Sequence, residues 1–324
     1  MNTLNKIRLI LILIFLMSII SNTLLFSQDP LRVWNIENFN NPAPGYLNFD
    51  YPGGSTFFLV DHYGTQLHPK LLRDKMIPFR FLKDGRWLMF GKKYFFFMDQ
   101  ETNLTDSIPY PNGYEVDFHD VNMLKNGNLM ALCYDTVKMD LSSIVQGGRK
   151  NANILSAVIL EFDKKGNIVW TWKILDHFKI TDATEDIDLT QPTIDYSHAN
   201  SFCEDNDGNI VVSFRNLDEI TKINRVTGQV IWRIGGSKCK NNQYTFENDN
   251  NNGFIGFSHQ HSVIVLPNNN ILMYDNGNLR NPRFSRAVEY QIDETNKIIK
   301  KVWEYRNTPD LFASMVGNVA RLSN

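Results

Sequence analysis

The sequence predicts an all-β fold, a β-propeller of four-stranded blades, on three observations. Short β-rich runs are separated by Asn/Asp/Gly turns throughout. One hairpin phrase, leucine-x-Asn-Gly-Asn-apolar, recurs along the chain. A second hairpin ending in an aromatic follows its copies, so a repeat holds four strands, the content of a propeller blade. No apolar run with helical spacing follows residue 30.

In chain order, Lys6 and Arg8 precede an apolar run from Leu9 to Ile20, and Phe26-Ser27-Gln28 follows. This is the pattern of a secretory signal peptide over 1–27, cleaved near Ser27; an uncleaved anchor helix is the competing reading. Residues 28–75 form a lead-in segment, and the propeller is expected over 76–324. The first hairpin phrase stands at residues 123–129, 204–210 and 265–271, with a looser copy at 81–87. Each needs a tight turn with positive φ, at Gly127, Gly208, Asn269 and Gly85. The second hairpins end at Trp170, Trp232 and Trp303. Turn spacing is uneven: 42 residues from Gly85 to Gly127, 81 to Gly208 and 61 to Asn269. The excess lies at 136–157, at the acidic, Thr-rich 173–197, and at the Asn-rich 237–253, which reads as a mobile loop. Residues 319–324 align with 121–126 and stop where the next turn glycine would stand, which predicts a last blade cut short and a natural chain that continues.

Composition narrows the function classes. With 33 basic against 35 acidic residues there is no electrostatic footprint for nucleic acid. Cys133, Cys203 and Cys239 are too few for a disulfide scaffold and fit no zinc spacing. No second long apolar run follows the first, so no stable membrane partner is expected beyond the signal segment, and the mature protein is expected in the periplasm or outside the cell.

Three of the seven histidines hold nearly the same place in three repeats. His119 lies 8 residues before Gly127, His198 lies 10 before Gly208, and His261 lies 8 before Asn269. That place is the start of the innermost strand of a blade, so the three imidazoles should converge on one mouth of the central channel. Arg215, in the strand leaving the Gly208 turn, adds a fixed positive charge near them. The looser copy has Ile77 at this position and the unfinished one Gly317, and a packing role would not need to skip blades. Convergent titratable groups in a channel mouth point to a site. A three-histidine zinc site competes with this reading, but the nearby arginine favours an anion over a dication.

The phrases Phe118-His119-Asp120, Ser197-His198-Ala199-Asn200-Ser201, Ser213-Phe214-Arg215-Asn216, Ile231-Trp232-Arg233-Ile234-Gly235-Gly236, Gln260-His261, Tyr274-Asp275-Asn276-Gly277 and Ser285-Arg286-Ala287 resemble, in this order, the bacterial arylsulfotransferases. The resemblance implies a six-bladed propeller. It also implies transfer of a sulfuryl group from an aryl sulfate to a phenol, without a nucleotide donor or other cofactor, through a sulfurylated histidine. It makes His261 the nucleophile and His119, His198 and Arg215 its supporting cluster, with Asn200 and Arg286 as weaker substrate-binding candidates and no metal ligand. His259, two residues earlier, is the rival, since both would face one side of a regular strand. The chain departs from the family at Ser262, where an acidic residue is usual, at Cys239, alone in a loop that carries a disulfide in some members, and in a lead-in too short for a β-sandwich domain.

The residue types suit this chemistry on their own. A neutral imidazole is a competent nucleophile near pH 7. Sulfuryl transfer, like phosphoryl transfer, depends on positioning and on stabilising charge spread over oxygens. Two other readings stay open: a non-catalytic propeller that binds a ligand, and a metal hydrolase built on the three histidines.

Overall fold

A computed structural model describes residues 46–50, 56–61, 66–71, 77–101 and 103–321. The expected signal segment over 1–27, its cleavage near Ser27 and the last three residues lie outside these. The chain divides into two compact units, with the boundary between Lys75 and Met76. The first contains an antiparallel meander of β1 (Tyr46–Asp50), β2 (Thr56–Asp61) and β3 (Gln66–Leu71).

The second unit is built from four sheets, each of four consecutive antiparallel strands. They are β4 to β7 (Ile77–Phe81, Trp87–Phe90, Tyr94–Met98, Leu104–Pro109) and β8 to β11 (Glu115–Met123, Leu129–Met139, Ala152–Phe162, Ile168–Lys173). After the two-residue β12 (Thr193–Ile194) come β13 to β16 (Ala199–Glu204, Ile210–Phe214, Glu219–Ile223, Val230–Gly235). Short strands β17 (Thr245–Glu247), β18 (Asn250–Asn251) and β19 (Phe254–Ile255) precede the last sheet. That sheet is β20 to β23 (His261–Val265, Ile271–Asp275, Arg286–Asp293, Ile298–Tyr305), with β17 added beside β23. The first strands β4, β8, β13 and β20 pack side by side, as blades do around an axis. Among the described residues, the helical pieces are 3-10 turns at 174–176, 180–182 and 215–217.

The first hairpin of each sheet turns where the sequence predicts. Gly85, Gly127 and Gly208 have φ of 85°, 83° and 84°, and Asn269 has 65°. These are left-handed values that glycine adopts freely and asparagine better than most residues.

The core lies between sheets, because side chains alternate across a strand. In β14, Ile210, Val212 and Phe214 join the cluster shared with β9 and β10, while Val211 joins the one shared with β20 to β22. In β9, Met130 and Leu132 face one way, and Leu129, Ala131 and Cys133 the other. A strand apolar on both faces is therefore a wall between two cores. Each large side chain buried there contributes about 1.5–3 kcal/mol.

Two segments differ from expectation. The excess at 136–157 is mostly an extension of the β9–β10 ladder, paired from Met139↔Ala152 onward. The stretch 237–253 is not all loop: it carries β17 and β18, and Asp249 within it is 3% exposed and paired with Arg286. Residues 306–321 contain no strand. The hydroxyl of Ser262 donates to Asn318 Oδ1 at 2.6 Å and accepts from the Val319 amide at 3.3 Å, which turns the segment into a strap.

Candidate active site

Each histidine of the repeated position stands where its inner strand departs from regular pairing. In β8, Val116 pairs with Cys133 and Val121 with Ala131, so residues 117–120 bulge outward. The Asp117 carboxylate turns back within the bulge, accepting the His119 amide at 3.0 Å and facing its Nδ1 at 2.6 Å. His198 immediately precedes β13 with φ 48°, and Asp195 holds it the same way, at 2.9 Å from the amide and 2.5 Å from Nδ1. His261 opens β20, between His259 (φ 55°) and Ser262 (φ 56°). Left-handed backbone at non-glycine residues costs of order 1–3 kcal/mol each and clusters at functional sites. Asp218, at φ 50°, is a fourth case in the same place.

These strands bring the side chains together. The His119 and His198 rings meet edge to face at 4.8 Å between centroids. Arg215 begins the turn after β14; its amide donates to the His198 carbonyl at 3.0 Å, and the Asn216 amide donates to the Ser197 carbonyl at 3.1 Å. The Arg215 guanidinium donates to Asn216 Oδ1 at 2.8 Å and to the Ser314 carbonyl of the strap at 3.3 Å. Asp218 closes this turn and accepts the His259 amide at 2.7 Å, joining the arginine to the His261 segment.

The histidines differ in electrostatics. Burial, with 5% exposure, pulls the His261 pKa down to about 4; its hydrogen bond to Asn276 opposes this, and the positive charges of Arg215, His119 and His198 add to the fall. The ring is therefore neutral near pH 7. Its Nδ1 faces two oxygens, Asn276 Oδ1 at 2.7 Å and the His259 carbonyl at 3.1 Å. Nδ1 therefore carries the proton and Nε2 the lone pair. For His119, burial lowers the pKa, but the hydrogen bond and charge of Asp117, with Asp195 and Asp120, outweigh it and the net shift is upward. His259 is 2% exposed, with Nε2 3.1 Å from Asp186 and Nδ1 3.1 Å from Asp218. Burial lowers its pKa too, and the two carboxylates raise it further. Both His259 nitrogens thus face carboxylates, whereas His261 keeps Nε2 available.

Sequence spacing therefore brings together His119, His198, His261 and Arg215. The two weaker candidates make hydrogen bonds within the fold. Asn200 donates to the Gln260 carbonyl at 2.7 Å, tying β13 to the residue before His261. The Arg286 side chain has no exposure and meets Asp275, Asp249, Glu304 and the Tyr290 hydroxyl. Sequence reasoning missed Asp117, Asp195 and Asp186, although the first two stand two and three residues before their histidines. It also missed Tyr134, whose hydroxyl donates to Asp195 at 3.3 Å, and the part played by Asn276. Among the described residues, no group of three His, Cys, Asp or Glu is arranged to hold a metal. A cavity of about 670 Å³ lies elsewhere, lined by residues including Asp205, Lys222, Trp232 and Glu294, where Lys222 meets Asp205 and Asp207 at 2.7 Å each. The site is defined by its chemistry rather than by that cavity.

Fold and site together define an all-β, blade-built protein whose histidine–arginine cluster suits transfer of an anionic group. The chain belongs to the arylsulfotransferase (ASST) family, which it matches over residues 26–324. Membership places it among the aryl sulfotransferases, with small aryl compounds as substrates. No curated protein matches it in sequence. Among solved structures it is similar to a protein of unknown function from Bacteroides caccae, at 14% identity and TM-score 0.45 over 81% of this chain and 73% of that one. It is also similar to a streptogramin B lyase (12%, TM-score 0.41, 81% and 65%). A third is a catalytically inactive virginiamycin B lyase from Staphylococcus aureus with quinupristin (10%, TM-score 0.40, 76% and 77%). No helix among the described residues is long and apolar enough to cross a membrane.

Proposed function

We propose that this protein is an exported aryl-sulfate sulfotransferase that carries the sulfuryl group on His261. One observation carries the reading: a neutral imidazole with its Nε2 lone pair available stands among groups that bear or can bear positive charge. In the first half-reaction Nε2 attacks the donor sulfur and the bond from sulfur to the aryl oxygen breaks. The departing phenolate takes a proton from His119 or His198. The sulfurylated ring keeps its Nδ1 proton, and its positive charge faces Asn276 Oδ1 and the His259 carbonyl. Arg215 grips the sulfuryl oxygens. In the second half-reaction an acceptor phenol attacks sulfur, the S–N bond breaks, and the phenol proton returns to the histidine pair. Kinetics are ping-pong, and no nucleotide takes part.

The four four-stranded sheets are read as blades of a six-bladed propeller, and export rests on the signal segment over 1–27. The test is incubation of purified protein with a chromogenic aryl sulfate, with and without a phenol. Phenol-dependent release of the chromophore is expected. Release indifferent to phenol would make it a sulfatase, and no release would make it a binding protein.

A further inference from the structure

The amide of Asn276 lies between the proposed nucleophile and the strap, and it is fully buried. Its Nδ2 donates to two main-chain carbonyls of the strap, Ala313 at 2.8 Å and Val316 at 2.9 Å. A carbonyl oxygen cannot donate, so those two contacts fix which end of the amide is nitrogen. Oδ1 is thereby turned to His261 Nδ1 at 2.7 Å. The strap is itself pinned beside this amide. Ser285 Oγ donates to the Asn276 carbonyl at 2.9 Å and accepts the Ala313 amide at 2.9 Å, and the Ser285 amide donates to the Leu311 carbonyl at 2.8 Å. Ser314, within the same stretch, accepts from Arg215.

We infer that Asn276 is a positioning residue that dictates which nitrogen of His261 attacks, and that the carbonyls of residues 313 and 316 dictate the orientation of Asn276. The inference rests on His261 as the nucleophile only for its consequence in catalysis; the proton's position on the ring is measurable without turnover. An amide suits the task better than a carboxylate. It accepts the Nδ1 proton without carrying a negative charge, so the ring keeps a low proton affinity, whereas His119 and His198 face carboxylates. Arg215, His119 and His198 face His261 with charges that act in the same direction as the missing carboxylate charge, and beside it stands His259 with Asp218 and Asp186 against its ring.

Two measurements test it. Nitrogen NMR of histidine-labelled wild-type protein, with His261→Ala used to assign the signal, should show His261 neutral and protonated on Nδ1. A proton on Nε2 would overturn the inference. In the second, Asn276→Asp removes both donors to the strap and places a carboxylate against the ring. The acid limb of the kcat/KM profile should move up by roughly one pH unit or more. Asn276→Ala should lower kcat roughly tenfold or more while KM holds, as when a tautomer-fixing partner is lost. Unchanged kcat and an unmoved acid limb in both variants would also overturn it. The two proposals fail separately. If His261→Ala still transfers sulfuryl, the nucleophile assignment falls, while an Nδ1 proton in the spectrum upholds the clamp. If His261→Ala is inactive and the proton is on Nε2, only the clamp falls.

Discussion

The inner strands β8 and β13 on one side and β20 on the other present the same residue at nearly the same repeat position, yet give it different partners. His119 and His198 are partly exposed and each holds a carboxylate on Nδ1. His261 is buried and holds an amide on Nδ1. The Asp117 carboxylate favours the His119 imidazolium and prepares a proton donor; an amide fixes the His261 tautomer without paying that charge to the ring and prepares a nucleophile. One repeated histidine thus acquires two roles through the residue behind it.

The largest effect that could break this contrast is at His261. His261→Ala should cut transfer from a chromogenic aryl sulfate by about 10⁴-fold or more, measured as initial rates with a phenol present. Next is Arg215. Arg215→Ala should lower kcat about 10²–10³-fold, the scale for losing a donor to developing charge, and Arg215→Lys should recover only part, because an ammonium lacks the planar fork. A smaller effect sharpens the carboxylate side. Asp117 is the main group raising the His119 pKa against burial, so in Asp117→Asn burial prevails and the imidazolium is lost at lower pH. The alkaline limb of the kcat profile should then move down by about one pH unit. The mildest test needs no variant. Because the His261 pKa is lowered to about 4, the acid limb of wild-type kcat/KM should fall near pH 4 to 5 rather than near 6.5. An acid limb near 6.5 would place His261 in an ordinary environment.

Much of this architecture was legible locally. The turns at Gly85, Gly127, Gly208 and Asn269 were readable because positive φ is a demand on one residue, and alternating apolar residues mark strands by themselves. The convergence of His119, His198 and His261 was readable because nearly equal offsets from matching turns, 8, 10 and 8 residues, mean nearly equal places in matching sheets. The partners were harder. Asp195 precedes the residue it holds by three positions, but Asn276 follows His261 by fifteen, and the carbonyls that orient it come from residues 313 and 316. Backbone carbonyls have no sequence signature. The region 237–253 was misread for a related reason. Its asparagines suggest a loop, while its order comes from Asp249 meeting Arg286, 37 residues later, in an ion pair fully out of water.

The two-faced β14 has a consequence for how the molecule comes apart. Val211 and Val212 are adjacent in the chain yet belong to different cores, so neither core can loosen without stripping one face of the strand they share. Neighbouring sheets are thermodynamic hostages of each other. Amide hydrogens of β9 and β14 should exchange with solvent only through opening that involves both adjacent sheets, and partial denaturation should remove the sheets in groups. The site straddles three of those sheets, so its geometry should persist until that collective opening and then disappear at once.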